Sequence, residues 1–264
     1  MKFIQPAIDP IILSLGFIDI RWYSLAYIVG LILGLTIIKR LNKFKGNLIS
    51  TNQLDNFFIW AVLGIIIGGR FGYVLFYQTN LFINNPIYVF QIWNGGMSFH
   101  GGLIGIIFST YFFCKRNKVK FFYLSDLIAV VAPMGLFLGR IANFINTELI
   151  GRPTEFYISV IYPSIDNLPR HPSQLYEALF EGLILMIILV FYFFKTLDFK
   201  NYGFISGLFL FYYGLFRFLI EFLREPDSHL GLLFNFLSMG QILSIPFFVF
   251  GIILITYYAP RRSN

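Results

Sequence analysis

The chain alternates long apolar segments with short polar ones, and this pattern gives the first structural prediction. Each apolar segment is close to the ~20 residues that an α-helix needs to cross about 30 Å of hydrocarbon. Trp22, Tyr23 and Tyr27 form an aromatic boundary where the first segment begins, and several segments end at clustered Lys and Arg. The pattern predicts seven transmembrane helices, at about residues 22–38, 57–77, 97–115, 122–144, 175–194, 203–223 and 236–258.

Two polar stretches interrupt this alternation. Residues 1–20 hold Pro6, Pro10 and two aspartates around a short apolar patch, without the basic start or small-residue cleavage site of a signal peptide. They are predicted to form an interfacial segment that leads into the first helix. Residues 146–174 are too rich in proline and charge to remain in lipid, so we expect a small extramembrane cap between helices four and five.

Composition supports the same fold class. Of the 264 residues, 57% are hydrophobic, 20% are aromatic and only 12% are charged, which is too few polar side chains to cover a soluble surface. We therefore expect an all-α polytopic membrane protein with a single integral membrane domain over residues 1–264. The single cysteine, Cys114, excludes a disulfide framework, and the three histidines lack metal-ligand spacing. No metal, cofactor or nucleic-acid partner is expected.

The basic residues indicate the orientation of the chain. Of the 20 lysines and arginines, twelve follow predicted helices one, three, five and seven, which all end on the same side of the membrane. Because Lys and Arg are enriched in cytoplasmic loops, this side is predicted to be cytoplasmic. The N-terminus and the 146–174 cap then lie outside the cytoplasm, and the C-terminus lies inside.

In this orientation, the polar residues within the predicted helices fall on the outer side. Charged side chains at bilayer depth cost roughly 2.5–3.5 kcal/mol each, so they persist mainly where they pair, face a wet cavity or bind something. Residues that served only as anchors would be scattered over both sides. Convergence from separate helices therefore predicts one polar cavity in the outer leaflet, lined by Tyr23, Arg70, His100, Arg140, Asn143, Arg217 and Glu221.

Helical spacing groups some of these residues further. Tyr213, Arg217 and Glu221 follow one another at i,i+4 steps, so they form a single stripe that a membrane helix tolerates only when it faces inward. Glu221 is expected to neutralise and orient Arg217, which keeps donors for a phosphate. Glu177 and Glu181 make a second i,i+4 pair, for which we expect helix capping or buried pairing.

The blocks that carry these residues give the sequence a specific resemblance. GRIANFINTELIG, from residue 139, closely resembles the signature of bacterial prolipoprotein diacylglyceryl transferases. GGRFGY, WNGGMSFHGG, HPSQLYE and the stripe on the sixth helix are similar to that family's other blocks, in the expected order, so the resemblance covers nearly the whole chain. Ala142 stands where many members have glycine, and the segment between Arg152 and His171 looks short.

The resemblance implies an activity in the bacterial inner membrane. Enzymes of this family move the diacylglyceryl group of phosphatidylglycerol onto the thiol of the lipobox cysteine in a prolipoprotein, and glycerol phosphate is released. The expected partners are phosphatidylglycerol, the prolipoprotein signal peptide with its lipobox cysteine, and the membrane. The cap is then expected to face the periplasm.

The implied chemistry assigns roles to the candidate residues. The electrophile is an sp3 carbon attached to a phosphate, so the reaction needs cations on the phosphate and a thiolate in line with the breaking C–O bond. His100 is the candidate base, or alternatively a donor to the phosphate. The expected catalytic residues are Tyr23, His100, Arg140, Arg217 and Glu221. The expected lipid-binding residues are Arg70, Arg140, Asn143, Asn146, Glu148, Gly151, Tyr213 and Arg217.

Two other classes of membrane protein also place polar residues within helices. A transporter or channel for an anionic substrate should show repeats or broken helices at midplane and charges that reach both leaflets, whereas these charges cluster in the outer leaflet. An intramembrane protease needs a Ser/His, paired-Asp or zinc constellation, and the sequence has neither HExxH nor paired intramembrane aspartates. The transferase is the preferred interpretation, and the transporter or channel is the alternative.

Overall fold

The computed structural model describes residues 2–6, 8–16, 19–197, 201–226 and 237–259. Helices dominate this part of the chain. The α-helices are α1 Trp22–Phe44, α2 Thr51–Tyr77, α3 Thr79–Asn84, α4 Phe99–Asn117, α5 Phe121–Ile145, α6 Ser173–Glu177, α7 Leu185–Lys195, α8 Phe204–Ile220 and α9 Met239–Tyr258. A π-helical segment, Ala178–Ile184, joins α6 to α7, so that Ser173–Lys195 is one continuous rod.

Five of the described helices are long and apolar enough to cross a membrane. They are Trp22–Phe44, Thr51–Tyr77, Phe121–Ile145, Ser173–Lys195 and Met239–Tyr258. This confirms the prediction of an all-α polytopic membrane protein. The remaining two predicted spans coincide with α4 and with the shorter apolar α8, and the count of seven crossings stays a prediction.

The chain divides into two compact units. The first unit contains Met1–Ile38 and Asp126–Asn264, and the second unit contains Lys39–Ser125. A single domain over the whole chain stays a prediction.

The second unit is built on the close packing of α2 against α4. Gly64, Gly68 and Gly72 of α2 face Gly101 and Gly105 of α4, so the two backbones approach without intervening side chains. Small residues at such contacts are typical of helix pairs in membranes, where van der Waals packing drives association. The N-terminus of α2 is fixed by a capping box formed by the residues at positions 50 and 53.

In the first unit, a buried carboxylate fixes the start of α8. One oxygen of Asp126 accepts from the backbone N–H of Gly203 (2.7 Å), and the other accepts from the N–H and hydroxyl of Ser206 (2.8 and 2.7 Å). Orphan N–H groups at a helix start need such acceptors where water is absent. This role is not apparent from the sequence, because the partners lie 77 and 80 residues from Asp126 along the chain.

The described chain also contains short β-strands, and the hydrophobic pattern did not predict them. β1 (Lys2–Ile4) pairs in parallel with β4 (Ser159–Ile161), and β4 pairs with β5 (Pro169–Arg170) in the antiparallel sense. β2 (Ile11–Ser14) and β3 (Asp19–Arg21) form a separate antiparallel pair. The residues expected to form an interfacial segment therefore also supply an edge strand to the segment predicted as the cap.

Ion pairs tie this small sheet together. The guanidinium of Arg170 donates to both oxygens of Asp166 (2.6 to 3.2 Å) and also pairs with Glu225. Arg170 holds the pKa of the Asp166 carboxyl below its usual range. The stabilisation from this pair is therefore present at neutral pH and is lost as the pH falls through that lowered pKa.

We expect Gly105→Ala to destabilise the protein and Gly102→Ala, three residues earlier in the same helix, to leave it nearly unchanged. A Cβ on Gly105 would overlap the carbonyl oxygen of Gly64, whereas one on Gly102 would lie 3.6 Å from the carbonyl oxygen of Ile65. Overpacking typically costs about 1–3 kcal/mol. Thermal unfolding of the two variants in detergent measures the difference, and equal midpoints would contradict the close-packing account.

Candidate active site

A buried group of arginines and glutamates lies where α5, the Ser173–Lys195 rod and α8 meet. Arg140, near the end of α5, places Nη1 3.0 Å from Oε2 of Glu177 and Nη2 3.2 Å from Oε2 of Glu181. The two glutamates are i,i+4 neighbours on the rod, so both carboxylates face the same way. One guanidinium fork therefore spans two successive turns of the opposite helix.

Arg217 of α8 binds the same carboxylates from the other side. Its Nη1 donates to Oε1 of Glu177 and lies 4.0 Å from Oε1 of Glu181, while its Nη2 lies 2.8 Å from Oε2 of Glu221. Arg224 reaches Oε1 of Glu177 at 3.7 Å. We call these six side chains the arginine–glutamate cluster: Arg140, Arg217, Arg224, Glu177, Glu181 and Glu221.

Burial makes the pairing within this cluster obligatory. Glu177 and Glu181 have no exposed surface, and the side chains of Arg140 and Arg217 expose 15% and 12%. Removing one partner of a buried ion pair costs about 3–5 kcal/mol, because it leaves the other charge uncompensated. The small exposed fraction of both arginines nevertheless leaves a face for a ligand.

The chain leaving α5 adds a polar group beside this cluster. Glu148 accepts from the side-chain amides of Asn143 (2.9 Å) and Asn146 (3.4 Å). Thr147 and Leu149 have positive φ values of 59° and 56°, which folds the segment back so that one carboxylate meets both amides. The structure thus brings together three of the residues predicted to bind the lipid.

The HPSQLYE block holds this folded segment in place. Ser173 donates its hydroxyl to the carbonyl of Leu149 (2.7 Å), and the amide of Gln174 donates to the carbonyl of Glu148 (2.6 Å). Gln5, before α1, donates to the carbonyl of Phe144 (2.5 Å) from another direction. The last carbonyls of α5 are met mainly by backbone N–H groups of the folded segment, and these side chains add further donors to the helix end and the segment.

Gly151 fills a place that has no room for a side chain. Its N–H donates to the carbonyl oxygen of His171 (3.1 Å), and a Cβ would overlap that same atom. This gives the glycine a packing role, while its predicted part in lipid binding stays a prediction.

Two tyrosines of the predicted site lie in the same unit. Tyr213 is buried on α8, within electrostatic range of Arg140 and of Glu181. Tyr23, at the start of α1, packs its ring against Tyr27 with 5.1 Å between centroids, and Tyr27 is within electrostatic range of Arg140.

Arg70 lies in the second unit, where its guanidinium group donates hydrogen bonds to backbone carbonyls. It is 2% exposed, and it donates to the carbonyls of Val89 (3.2 Å), Tyr88 (2.9 Å) and Gln91 (2.8 Å) and also to that of Gly95. This geometry holds the segment between α3 and α4. Arg70 would have to exchange these carbonyls for phosphate oxygens to bind a lipid, and that role stays a prediction.

His100 also lies in the second unit, at the second residue of α4. It is exposed, its ring packs edge-on against Phe99 (5.6 Å between centroids), and it has no hydrogen bond to any residue that the structure describes. The ring nitrogens are therefore available for a substrate. A cavity that His100 shares with Arg140 stays a prediction.

Most of these residues were predicted from the sequence, but their pairing was not. Buried pairing of Glu177 and Glu181 is confirmed, as is the Arg217–Glu221 pair. The partners of the two glutamates, and the part played by Arg224, were missed. The sequence feature that could have indicated these partners was the pair of carboxylates one turn apart at the start of an apolar helix, since buried carboxylates require cations. Among the described residues, no group of His, Cys, Asp or Glu is arranged to hold a metal ion.

Apolar helices that enclose paired arginines and carboxylates define an integral membrane protein with a polar site among its helices. The family model for prolipoprotein diacylglyceryl transferase matches residues 10–257, and the chain belongs to this family. The resemblance drawn from the sequence blocks is thereby confirmed. Membership and the apolar helices together indicate an integral protein of the inner membrane.

Relatives named phosphatidylglycerol–prolipoprotein diacylglyceryl transferase match nearly the whole chain. The protein of Rickettsia felis is 49% identical over 257 residues, which are 97% of this chain and 99% of that protein. The protein of Rickettsia bellii is 50% identical over 250 residues, or 95% of each chain. The protein of Rickettsia akari is 50% identical over 257 residues, with 97% and 99% covered.

We expect Arg140→Lys to weaken binding of an anionic phospholipid by about 10- to 150-fold. Lysine keeps the charge but cannot span two turns of the rod and also donate to a phosphate, and a hydrogen bond to a charged group contributes about 1.5–3 kcal/mol. Lys39→Arg, at the more exposed pair with Asp55, is the matched control. Titration of both variants with short-chain phosphatidylglycerol measures the effect. Unchanged affinity in Arg140→Lys would rule out a fork on the phosphate.

Proposed function

We propose that this protein transfers the diacylglyceryl group of phosphatidylglycerol to the lipobox cysteine of a prolipoprotein. The observation that carries the proposal is the pair formed by Arg140 and Arg217, which Glu177 bridges inside a chain of this family. The relatives named above support the same activity through their names. The product is a thioether, and glycerol phosphate leaves.

The two arginines are suited to the phosphate of the donor lipid. Charge on the leaving phosphate grows as the C–O bond breaks, so fixed cations stabilise the transition state more than the ground state. Glu177 and Glu221 hold the guanidinium planes, while the Nε–H groups of Arg140 and Arg217 have no hydrogen-bond partner among the described residues. A pre-oriented pair of this kind needs little rearrangement when the lipid binds.

The glycerol headgroup offers hydroxyls to the polar group at the end of α5. Asn143 and Asn146 present amides, and the exposed Glu148 presents a carboxylate. These groups can both donate to and accept from hydroxyls, which suits a glycerol headgroup. Tyr213 and Tyr23 complete the proposed site.

The nucleophile comes from the substrate. A free thiol has a pKa of about 8.5, so a base or a positive field is needed to increase its thiolate fraction near neutral pH. We assign the role of proton acceptor to His100, which is exposed and has no described hydrogen-bond partner. The sulfur–carbon bond forms, the carbon–oxygen bond to phosphate breaks, and the thiol proton passes to the imidazole. The buried Cys114 takes no part.

The proposed orientation puts the N-terminus and the 146–174 cap in the periplasm and the C-terminus in the cytoplasm, on the strength of the basic-residue bias. Alkaline phosphatase fused within the cap should be active, and a fusion after Arg262 should be inactive. The reverse result would overturn the orientation.

We expect the purified protein, in vesicles that contain phosphatidylglycerol, to add one diacylglyceryl group to a lipobox peptide. Mass spectrometry of the peptide detects the addition, and a peptide with serine in place of the cysteine is the control. His100→Gln should lower the rate by about 10²–10⁴-fold, because glutamine cannot accept the proton. Raising the pH from about 6 to 9 should partly restore that variant, since more thiol ionises unaided.

Different outcomes of this assay separate the activity from the base. Failure of the wild-type protein to modify the cysteine peptide would contradict the proposed function. Near-normal transfer by His100→Gln, without a distinctive pH rescue, would contradict only the role of His100 and would leave activation of the thiol to the arginines.

A further inference from the structure

The formal charges of the arginine–glutamate cluster cancel. Three guanidinium groups and three carboxylates are linked by ion pairs of 4.0 Å or less in the part of the chain that the structure describes. All six groups are largely withdrawn from solvent. The cluster that is proposed to bind an anionic lipid is therefore neutral when every member is ionised.

A neutral buried cluster is a poor acceptor for an anion. A phosphodiester that reaches Arg140 or Arg217 adds a negative charge that nothing in the cluster balances, and uncompensated charge away from water is strongly unfavourable. The balance is restored if one carboxylate gains a proton, because the cluster then carries one positive charge. Desolvation and neighbouring negative charge both favour the neutral form of a carboxyl group.

Contacts within the cluster distinguish the three carboxylates. Glu177 is held by all three arginines, since its two oxygens face Arg140 on one side and Arg217 and Arg224 on the other. Glu221 lies 2.8 Å from Nη2 of Arg217 and also accepts from the hydroxyl of Ser238 (2.9 Å). On each of these two carboxylates, one oxygen accepts a hydrogen bond and the other lies within 3.0 Å of a guanidinium nitrogen.

Glu181 is held on one side only. Its Oε2 accepts from Arg140 at 3.2 Å. Each of the three carboxylates has one oxygen without a hydrogen-bond partner among the described residues, but in Glu181 that oxygen lies 4.0 Å from an arginine, against 3.0 Å in Glu177 and 2.8 Å in Glu221. The charged or titratable groups that face it are Arg140 from α5, Glu177 from its own rod, and Arg217 and Tyr213 from α8. An anion on the arginines would leave Glu181 the least compensated of the three.

We propose that Glu181 takes up a proton when the anionic headgroup of the donor lipid binds. Once neutral, the carboxyl group of Glu181 gives up its ion pair with Nη2 of Arg140, and this nitrogen can then donate to the phosphate. The guanidinium stays in place because Glu177 still holds it. The inference rests on the proposed function, since it assigns the lipid phosphate to these arginines. Glu181 is thus a positioning residue that couples lipid binding to proton uptake.

The test measures protons and lipid together. Short-chain phosphatidylglycerol is added to the full-length protein in weakly buffered detergent, and a pH-indicator dye reports proton uptake while calorimetry reports binding. Over the pH range in which Glu181 is ionised without lipid and protonated with lipid bound, we expect uptake of about one proton per lipid. Over the same range the affinity should fall about tenfold per pH unit, as linkage requires for one coupled proton. Zwitterionic short-chain phosphatidylcholine should cause no uptake.

Glu181→Gln supplies the decisive comparison, because glutamine resembles the protonated carboxyl group and cannot titrate. This variant should bind phosphatidylglycerol with no proton uptake and with an affinity that is nearly independent of pH. Glu225→Gln is the matched control, since Glu225 pairs with Arg170 outside the cluster and its loss should leave uptake unchanged.

Wild-type protein that binds phosphatidylglycerol without taking up a proton would overturn the inference and leave the proposed function intact. Undiminished uptake in Glu181→Gln would overturn the assignment to this residue. The wild-type stoichiometry decides the coupling even where Glu181→Gln fails to accumulate. Wild-type protein that binds no phosphatidylglycerol would overturn the proposed function, and the inference with it.

Discussion

The ion bridge through Glu177 is the interaction on which the rest of the site depends. Two arginines cannot remain in an apolar helix bundle without carboxylates, and Glu177 compensates both because one oxygen faces Arg140 and the other faces Arg217. This requirement fixes α5, the Ser173–Lys195 rod and α8 relative to one another. It also sets the distance between the two cations that are proposed to bind the phosphate.

A second set of polar contacts in the first unit lies at the start of the rod that carries this bridge. The rod that carries Glu177 begins at Ser173 and Gln174, which bind the backbone of the segment that follows α5. That segment carries Glu148, whose carboxylate accepts hydrogen bonds from the side-chain amides of Asn143 and Asn146. The same residues that stabilise a helix end therefore orient the groups proposed to recognise a glycerol headgroup, so fold and site share one hydrogen-bond network.

The hydrophobic pattern was a sufficient guide to the helices, because a membrane span leaves a local signal of length and composition. It also identified Arg140, Arg217 and Glu221, since charges within apolar runs are conspicuous and an i,i+4 pair is local. The pattern could not predict contacts between residues that are distant in sequence. The contact between Arg140 and Glu181 joins residues 41 apart. Three of the carbonyls that hold Arg70 lie in or just after the short 3₁₀-helix Pro86–Phe90, which is too short to leave a periodic signal.

The strands show a further limit of the pattern. β1 and β4 each have three residues, too few for an alternation of polar and apolar positions to stand out. Their pairing joins the first residues of the chain to the segment after α5, and only the folded chain reveals it.

The central claim is that the bridged arginines bind the phosphate of the donor lipid. Solid-state NMR of the protein in bilayers, with nitrogen-labelled arginine and phosphatidylglycerol as the bound lipid, measures the distance from phosphorus to guanidinium nitrogen. The account predicts a short phosphorus–nitrogen distance, typical of direct hydrogen bonding, whose signal weakens when Arg140 or Arg217 is replaced by lysine. Bound lipid whose phosphorus shows no such proximity, or an unchanged signal in both lysine variants, would contradict it.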